Sequence, residues 1–123
     1  MKKILVVEDD RRIALALTVR LRASGFEVFT APDALAGVNQ ARKQEPDVVV
    51  LDLMMPAGGG LKVAERMRNL TQTATVPIIF LTASKDADMK RQALEFSPVA
   101  YLEKPYDAQD LLNAVHEATG ATI

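Results

Sequence analysis

Ile4-Leu5-Val6-Val7-Glu8-Asp9-Asp10 decides how this chain folds. Four apolar, largely β-branched residues stop abruptly at three acids. Such a run reads as a short strand buried on both faces, as in a parallel sheet, whose end reaches water. The pattern recurs: Val48-Val49-Val50-Leu51 runs into Asp52, and Val99-Ala100-Tyr101-Leu102 is followed by Glu103-Lys104-Pro105. Acids are scarce inside proteins, and several brought together repel unless a cation or a proton relieves them. If these strand ends converge, they build a cation-dependent acidic pocket with one lysine at its edge.

Between these runs, strand-like and helix-like segments alternate. After the strand over residues 3–7, Asp10 caps a helix over about 11–23, with Ile13, Ala16, Leu17 and Leu21 on one face and Gly25 ending it. Residues 26–30 alternate as a strand nearer the sheet edge. Asp33 is a candidate cap for a helix to about residue 43, with Leu35, Val38 and Ala41 inward, and the most apolar strand covers 47–51. The stretch Met55-Pro56-Ala57-Gly58-Gly59-Gly60 reads as a turn and a mobile loop, since glycine loses the most entropy on ordering. The helix that follows it, to about residue 70, turns Leu61, Ala64 and Met67 inward, and a fourth strand covers 76–81. A helix over 86–96 has a thin apolar stripe of Met89, Ala93 and Phe96, so its docking should be weak. A fifth strand over 99–102 precedes a last helix over 107–118, with Leu111, Leu112, Val115 and Ala118 inward. Right-handed crossovers make such alternation an α/β fold, a doubly wound parallel sheet covered on both faces, with ligands outside the carboxyl ends of the strands.

The totals bound the remaining choices. A chain of 123 residues, 49% hydrophobic and 25% charged, fits one globular domain. With no internal repeat or linker, residues 1–123 read as a single domain with a core over about 2–119 and no output module. A net charge of −1 argues against non-specific binding of nucleic acid. Absent cysteines exclude disulfides, thiolate zinc sites and a cysteine nucleophile. No apolar run reaches the roughly 18–20 residues that span a bilayer, and the first run is too short for a signal peptide, so a cytoplasmic location is expected.

For Glu8 and Asp9 the plain reading is acids that stop a strand, and for Asp10 alone the capping role is preferred. That reading weakens once Asp52 must end on a neighbouring strand. Two carboxylates about 4 Å apart repel by roughly 4 kcal/mol at an effective dielectric of 20. A hard divalent cation such as Mg2+ relieves this with carboxylate, carbonyl and water oxygens. A carboxylate in that setting can act as a nucleophile and accept a phosphoryl group, which makes Asp52 the candidate. Lys104, the Thr82 hydroxyl and the backbone amide of Ala83 can contact the phosphoryl oxygens. Alone, Thr82 reads as a strand residue and Lys104 as a solvated lysine; their value lies in convergence. His116, the only histidine, reads as a surface residue far from the strand ends.

The set Val7-Glu8-Asp9, Leu51-Asp52-Leu53-Met54-Met55-Pro56, Leu81-Thr82-Ala83 and Tyr101-Leu102-Glu103-Lys104-Pro105 resembles the receiver domain of two-component response regulators, in order and over nearly the whole chain. The resemblance implies a CheY-like, flavodoxin-like (βα)5 fold with strand order 2-1-3-4-5. It implies that Asp52 accepts the phosphoryl group and that Glu8, Asp9, Asp52 and the carbonyl of Met54 hold Mg2+. It also implies that Thr82 and Tyr101 form the switch, that Lys104 contacts the phosphate and that the Lys104-Pro105 bond is cis. Met54 and Ser84 would line the path of the hydrolytic water. The implied function is a phosphorylation-activated signalling switch in a phosphorelay, not an enzyme beyond self-catalysed phosphotransfer and autodephosphorylation. The implied partners are a sensor histidine kinase or phosphotransfer protein and a downstream effector or detached output domain. No direct nucleic acid binding and no membrane contact are implied, and the chain would be a monomer or a weak phosphorylation-dependent dimer.

Several positions depart from the family pattern. Gly58-Gly59-Gly60 stands where an Asp-Gly pair is frequent, and Ser97-Pro98-Val99-Ala100 replaces a frequent Gly-Ala. Acids used for dimer salt bridges by one DNA-binding subfamily are missing before Tyr101. Alternatives stay open at this level. A receiver-like interaction adaptor independent of phosphorylation keeps the fold without the chemistry. An aspartate-nucleophile phosphohydrolase needs a second acid where Met54 stands. A flavodoxin needs a phosphate loop where the three acids stand.

Overall fold

The computed structural model describes residues 1–55 and 59–120. Five strands, β1 (Lys3–Val7), β2 (Glu27–Ala31), β3 (Val48–Asp52), β4 (Ile78–Thr82) and β5 (Ala100–Glu103), alternate with five helices. The helices are α1 (Arg11–Ala23), α2 (Ala34–Gln44), α3 (Gly59–Arg68), α4 (Ala87–Leu94) and α5 (Ala108–Thr119). The strands form one parallel sheet in the order β2-β1-β3-β4-β5, the flavodoxin-like arrangement expected. Val7 lies opposite Leu51, Asp52 opposite Leu81 and Thr82 opposite Glu103, so the carboxyl ends of the four inner and edge strands come level.

Strand side chains alternate across the sheet and divide the core in two. Leu5, Val49, Leu51, Ile78 and Phe80 pack against α2, α3 and α4 through Val38, Ala41, Val63, Met67 and Ala93. Ile4, Val6, Val50, Ile79 and Leu81 pack against α1 and α5 through Leu17, Leu21, Leu111 and Val115. Asp10 and Asp33 cap α1 and α2 as expected, each accepting from amides of the first turn, and Asp86 and Asp107 cap α4 and α5 in the same way. Gly25, at φ 93, ends α1. No helix among the described residues is long and apolar enough to cross a membrane.

The structure corrects several local expectations. Leu35 does not face inward but is 66% exposed; Gly37, lying against the Val7 side chain, takes the inner position, because a leucine there would meet the sheet. On α1, Ala16 is exposed and Thr18 is buried, its hydroxyl donating to the Ala14 carbonyl at 2.8 Å. Phe26 is buried but precedes β2, and α4 ends at Leu94. The expected mobile loop falls partly on residues 56–58, outside the described residues. Gly59 and Gly60 are helical and buried rather than part of a loop. Gly59 has φ +56, and a Cβ there would sit 2.2 Å from the Leu53 carbonyl oxygen; one on Gly60 would sit 2.8 Å from that of Asp52. These glycines serve close backbone contact.

Arg68, at the end of α3, went unnoticed in the sequence. Its guanidinium donates to the carbonyls of Ala74 and Val76 at 3.1 and 2.8 Å and to that of Phe96 at 3.3 Å, tying α3, the approach to β4 and the far end of α4 together. Replacing Met67, which has no exposed surface, by alanine is expected to cost about 2–5 kcal/mol. Leu35→Ala should stay within about 0.5 kcal/mol of the parent. Urea unfolding midpoints of the two variants check both, and a large loss at Leu35 would contradict its placement.

Candidate functional site

Three apolar strands deliver their polar ends to one place. Parallel pairing of β1 with β3 runs to Val7 opposite Leu51, and that of β3 with β4 to Asp52 opposite Leu81, so the residues there leave the sheet at a fixed level. Carboxylate oxygens of Glu8, Asp9 and Asp52 all lie within 4.8 Å of one another. Glu8 is 3% exposed and Asp52 6%, whereas Asp9 is exposed. Lys104, which follows β5, brings its ammonium to 3.7 Å from Glu8 Oε1 and 3.9 Å from Asp52 Oδ2.

Each carboxylate has a different set of partners. Asp52 Oδ1 accepts the Met54 amide at 2.8 Å, so Oδ2 is the oxygen turned to Lys104. Glu8 Oε2 accepts the Asp10 amide at 3.2 Å. Glu8 Oε1 is buried with no hydrogen-bond partner among the described residues. Burial first, and then the adjoining Asp52 carboxyl, raise the Glu8 pKa to about 8, against the lowering effect of the Asp10 amide. A buried oxygen that accepts no hydrogen bond, among three acids and with the Lys104 ammonium as its nearest described cation, belongs to a donor set suited to a hard divalent cation. The acidic cluster could therefore hold a metal ion.

The other expected residues sit at or just beyond strand ends, or on the neighbouring elements. Thr82 is fully buried, and its Oγ1 accepts the Ser84 amide at 2.9 Å, which leaves its own proton to donate elsewhere. Ala83, next along, is exposed. Met54 is 53% exposed beside Asp52. The Lys104-Pro105 peptide is cis. Tyr101 is half-buried against the α4 side of the core, with its ring 6.5 Å from that of Phe80. Burial, then Glu103 and Asp86, raise its phenol pKa. His116 packs on Phe26 at 5.4 Å, on a helix away from the acids.

Two features were not read from the sequence. Lys85 and Lys90 both reach Glu103, at 3.1 and 3.9 Å, and Lys90 also lies over the Tyr101 ring at 5.5 Å. An apolar groove of about 1080 Å3 runs between α1 and α5, with Ile13, Leu15, Val19, Tyr106 and Leu112 in its walls and Lys104 at one end. Leu15 and Val19 are 64% and 61% exposed there. The only signal of either in the sequence is the pair of outward apolar residues in an otherwise arginine-rich helix.

Comparison with known proteins fits this geometry. Residues 4–116 match the response regulator receiver domain family. The DNA-binding dual master transcriptional regulator RpaA of Synechocystis sp. is 34% identical over 115 residues, which are 94% of this chain and 48% of that protein. The alkaline phosphatase synthesis transcriptional regulatory protein PhoP of Bacillus subtilis is 36% identical over 110 residues, 89% of this chain and 45% of that one. The chain thus spans about half the length of the curated relatives it matches. Among solved structures, a response regulator receiver domain protein from Clostridium thermocellum superposes with a TM-score of 0.89 at 30% identity, covering 98% of this chain and 95% of that one. The Vibrio cholerae chemotaxis protein CheY4 gives 0.87 at 28% identity, over 96% and 98% of the two chains. Five parallel strands in this order, an acid cluster at their ends and a family match over nearly all residues agree: this chain belongs to the response regulator receiver domain family.

Proposed function

We propose that this protein is a phosphorylation-activated switch in which Asp52 takes a phosphoryl group from a histidine kinase or phosphotransfer protein. One observation carries the reading: three carboxylates within 4.8 Å of one another, two of them within 4 Å of a single ammonium. Such crowding is costly in a purely structural role and useful where charge is to be transferred.

Asp52 Oδ2 attacks phosphorus while the bond from phosphorus to the donor's nitrogen or oxygen breaks, and the leaving group takes up a proton from solvent. Met54 N–H holds Oδ1 and so keeps the carboxylate turned for attack. Glu8, Asp9, Asp52 and the Met54 carbonyl are the ligands we assign to Mg2+. When bound, the cation supplies neutralising charge for the clustered carboxylates and for the incoming phosphoryl oxygens. Lys104 pairs with a phosphoryl oxygen once Asp52 has been modified, and the Thr82 hydroxyl and Ala83 amide donate to another. Thr82 and Tyr101 relay the change to the surface of α4, β5 and α5. The groove beside Lys104 suits the approach of a donor protein. Output lies with a downstream effector or with a segment outside these residues; DNA binding is a property named for RpaA, and a cytoplasmic location accompanies the reading.

Incubation with a small-molecule phosphodonor and Mg2+ should add one phosphoryl mass to the parent and none to Asp52→Asn; equal uptake by both would remove Asp52 from its assigned role. Lys104→Ala should slow uptake by about 10²-fold or more, and an unchanged rate would exclude the lysine from the chemistry.

The raised Glu8 pKa has a stability consequence. Between about 4.5 and 8 the folded protein holds a proton that the unfolded chain has released. Without metal, stability is therefore greatest below this window and falls as pH rises through it, by at most about 1.4 kcal/mol per pH unit. Glu8→Gln should flatten that slope. At pH 8, Mg2+ at about 100 times its dissociation constant should add about 2.7 kcal/mol. Unfolding curves at several pH values, with and without Mg2+, measure both effects, and indifference to the cation would defeat the metal assignment.

A further inference from the structure

Tyr101 sits on β5 with its hydroxyl in an unfavourable place. The phenol oxygen is buried and has no hydrogen-bond partner among the described residues. A donor removed from water without a partner favours rotation back to solvent. Yet the side chain stays turned in, against Phe80 and the α4 side of the core. Apolar packing from α4 and the turn after it is thin, since Ala93 is the one buried residue of the helix and Met89 and, beyond its end, Phe96 are only half-buried. Something besides apolar contact holds the ring.

The contact that remains is charged. Lys90 of α4 places its ammonium 5.5 Å from the centre of the Tyr101 ring and 3.9 Å from Glu103 Oε1 on the same strand. Glu103 is also held from its other oxygen by Lys85 at 3.1 Å. The carboxylate is thus fixed between two lysines, and it aims one of them at the aromatic face. A cation over a ring face is attracted by the ring's negative quadrupole. Exposed ion pairs of this kind add little to global stability, but they can fix the direction of one side chain.

We infer that Lys90 is a positioning residue that keeps Tyr101 turned inward, with Glu103 aiming its ammonium. The bearing of this latch on signalling rests on Asp52 being the phosphoacceptor; the orientation of the ring does not. The latch is also open to screening, because Lys90 and Glu103 side chains are 49% and 36% exposed.

The chain has two tyrosines and no tryptophan, so Tyr106→Phe leaves Tyr101 as the sole emitter. Acrylamide quenching of tyrosine fluorescence, with neither phosphodonor nor divalent cation present, then reads the exposure of that ring. Lys90→Gln should raise the ratio of outward to inward ring by about two- to fivefold, and Lys90→Arg, which keeps the cation, should hold it at the parent value. Potassium chloride should increase quenching in the parent and leave Lys90→Gln unchanged. Quenching that is the same in Lys90→Gln as in the parent, or raised equally by Gln and Arg, overturns the inference. Failure of the phosphoacceptor reading shows separately, as no gain of phosphoryl mass while the quenching pattern stands.

Discussion

The crowding of like charge at the carboxyl ends of β1 and β3 is the constraint to which the rest of the molecule is fitted. Glu8 and Asp52 are buried acids a few ångströms apart, and burial alone would drive one of them neutral. Three things make the arrangement tolerable: the Met54 and Asp10 amides, the Lys104 ammonium, and a proton or a cation on the Glu8 oxygen that accepts no hydrogen bond. Each depends on the sheet. Parallel register sets Asp52 level with the end of β1, and β5 must lie two strands from β3 for Lys104 to reach across. Even the glycines of α3 belong to this fit, since they let the helix start close beneath the carbonyls of Asp52 and Leu53.

Much of this was legible in the residues because strand ends announce themselves. An apolar run that stops at an acid says both that the strand is buried and where it surfaces, which is why Glu8, Asp9, Asp52, Thr82 and Lys104 could be placed without coordinates. Helix caps were legible for a similar reason: an aspartate ahead of an apolar period has one favoured role. What stayed hidden depends on residues far apart in the chain. Leu35 fits the helical period, but whether it or Gly37 faces the sheet is decided by Val7, on another element. Arg68 looks like any arginine on a helix until its guanidinium finds carbonyls up to 28 residues away. The Lys90, Glu103 and Tyr101 grouping is likewise a product of α4 lying across β5.

The two faces of the sheet are not equivalent. On one side α1 and α5 bury leucines and valines against alternate strand residues. On the other, α4 contributes a single fully buried alanine and a row of charged side chains, including Arg91 paired with Asp88 and with Glu95. Local openings draw on the least-packed elements. The α4 side is therefore the part of the fold in which a small change at the acid cluster has most room to be expressed.

Arg68 limits the form that such a change can take. Its described partners are all carbonyl oxygens, and a guanidinium keeps its charge throughout the physiological range. The contact is consequently insensitive to whatever negative charge is gained or lost at the opposite edge of the molecule. With Phe96 tethered in this way, the carboxyl end of α4 is anchored to α3 and the approach to β4, while none of these contacts restrains its first turn at Ala87.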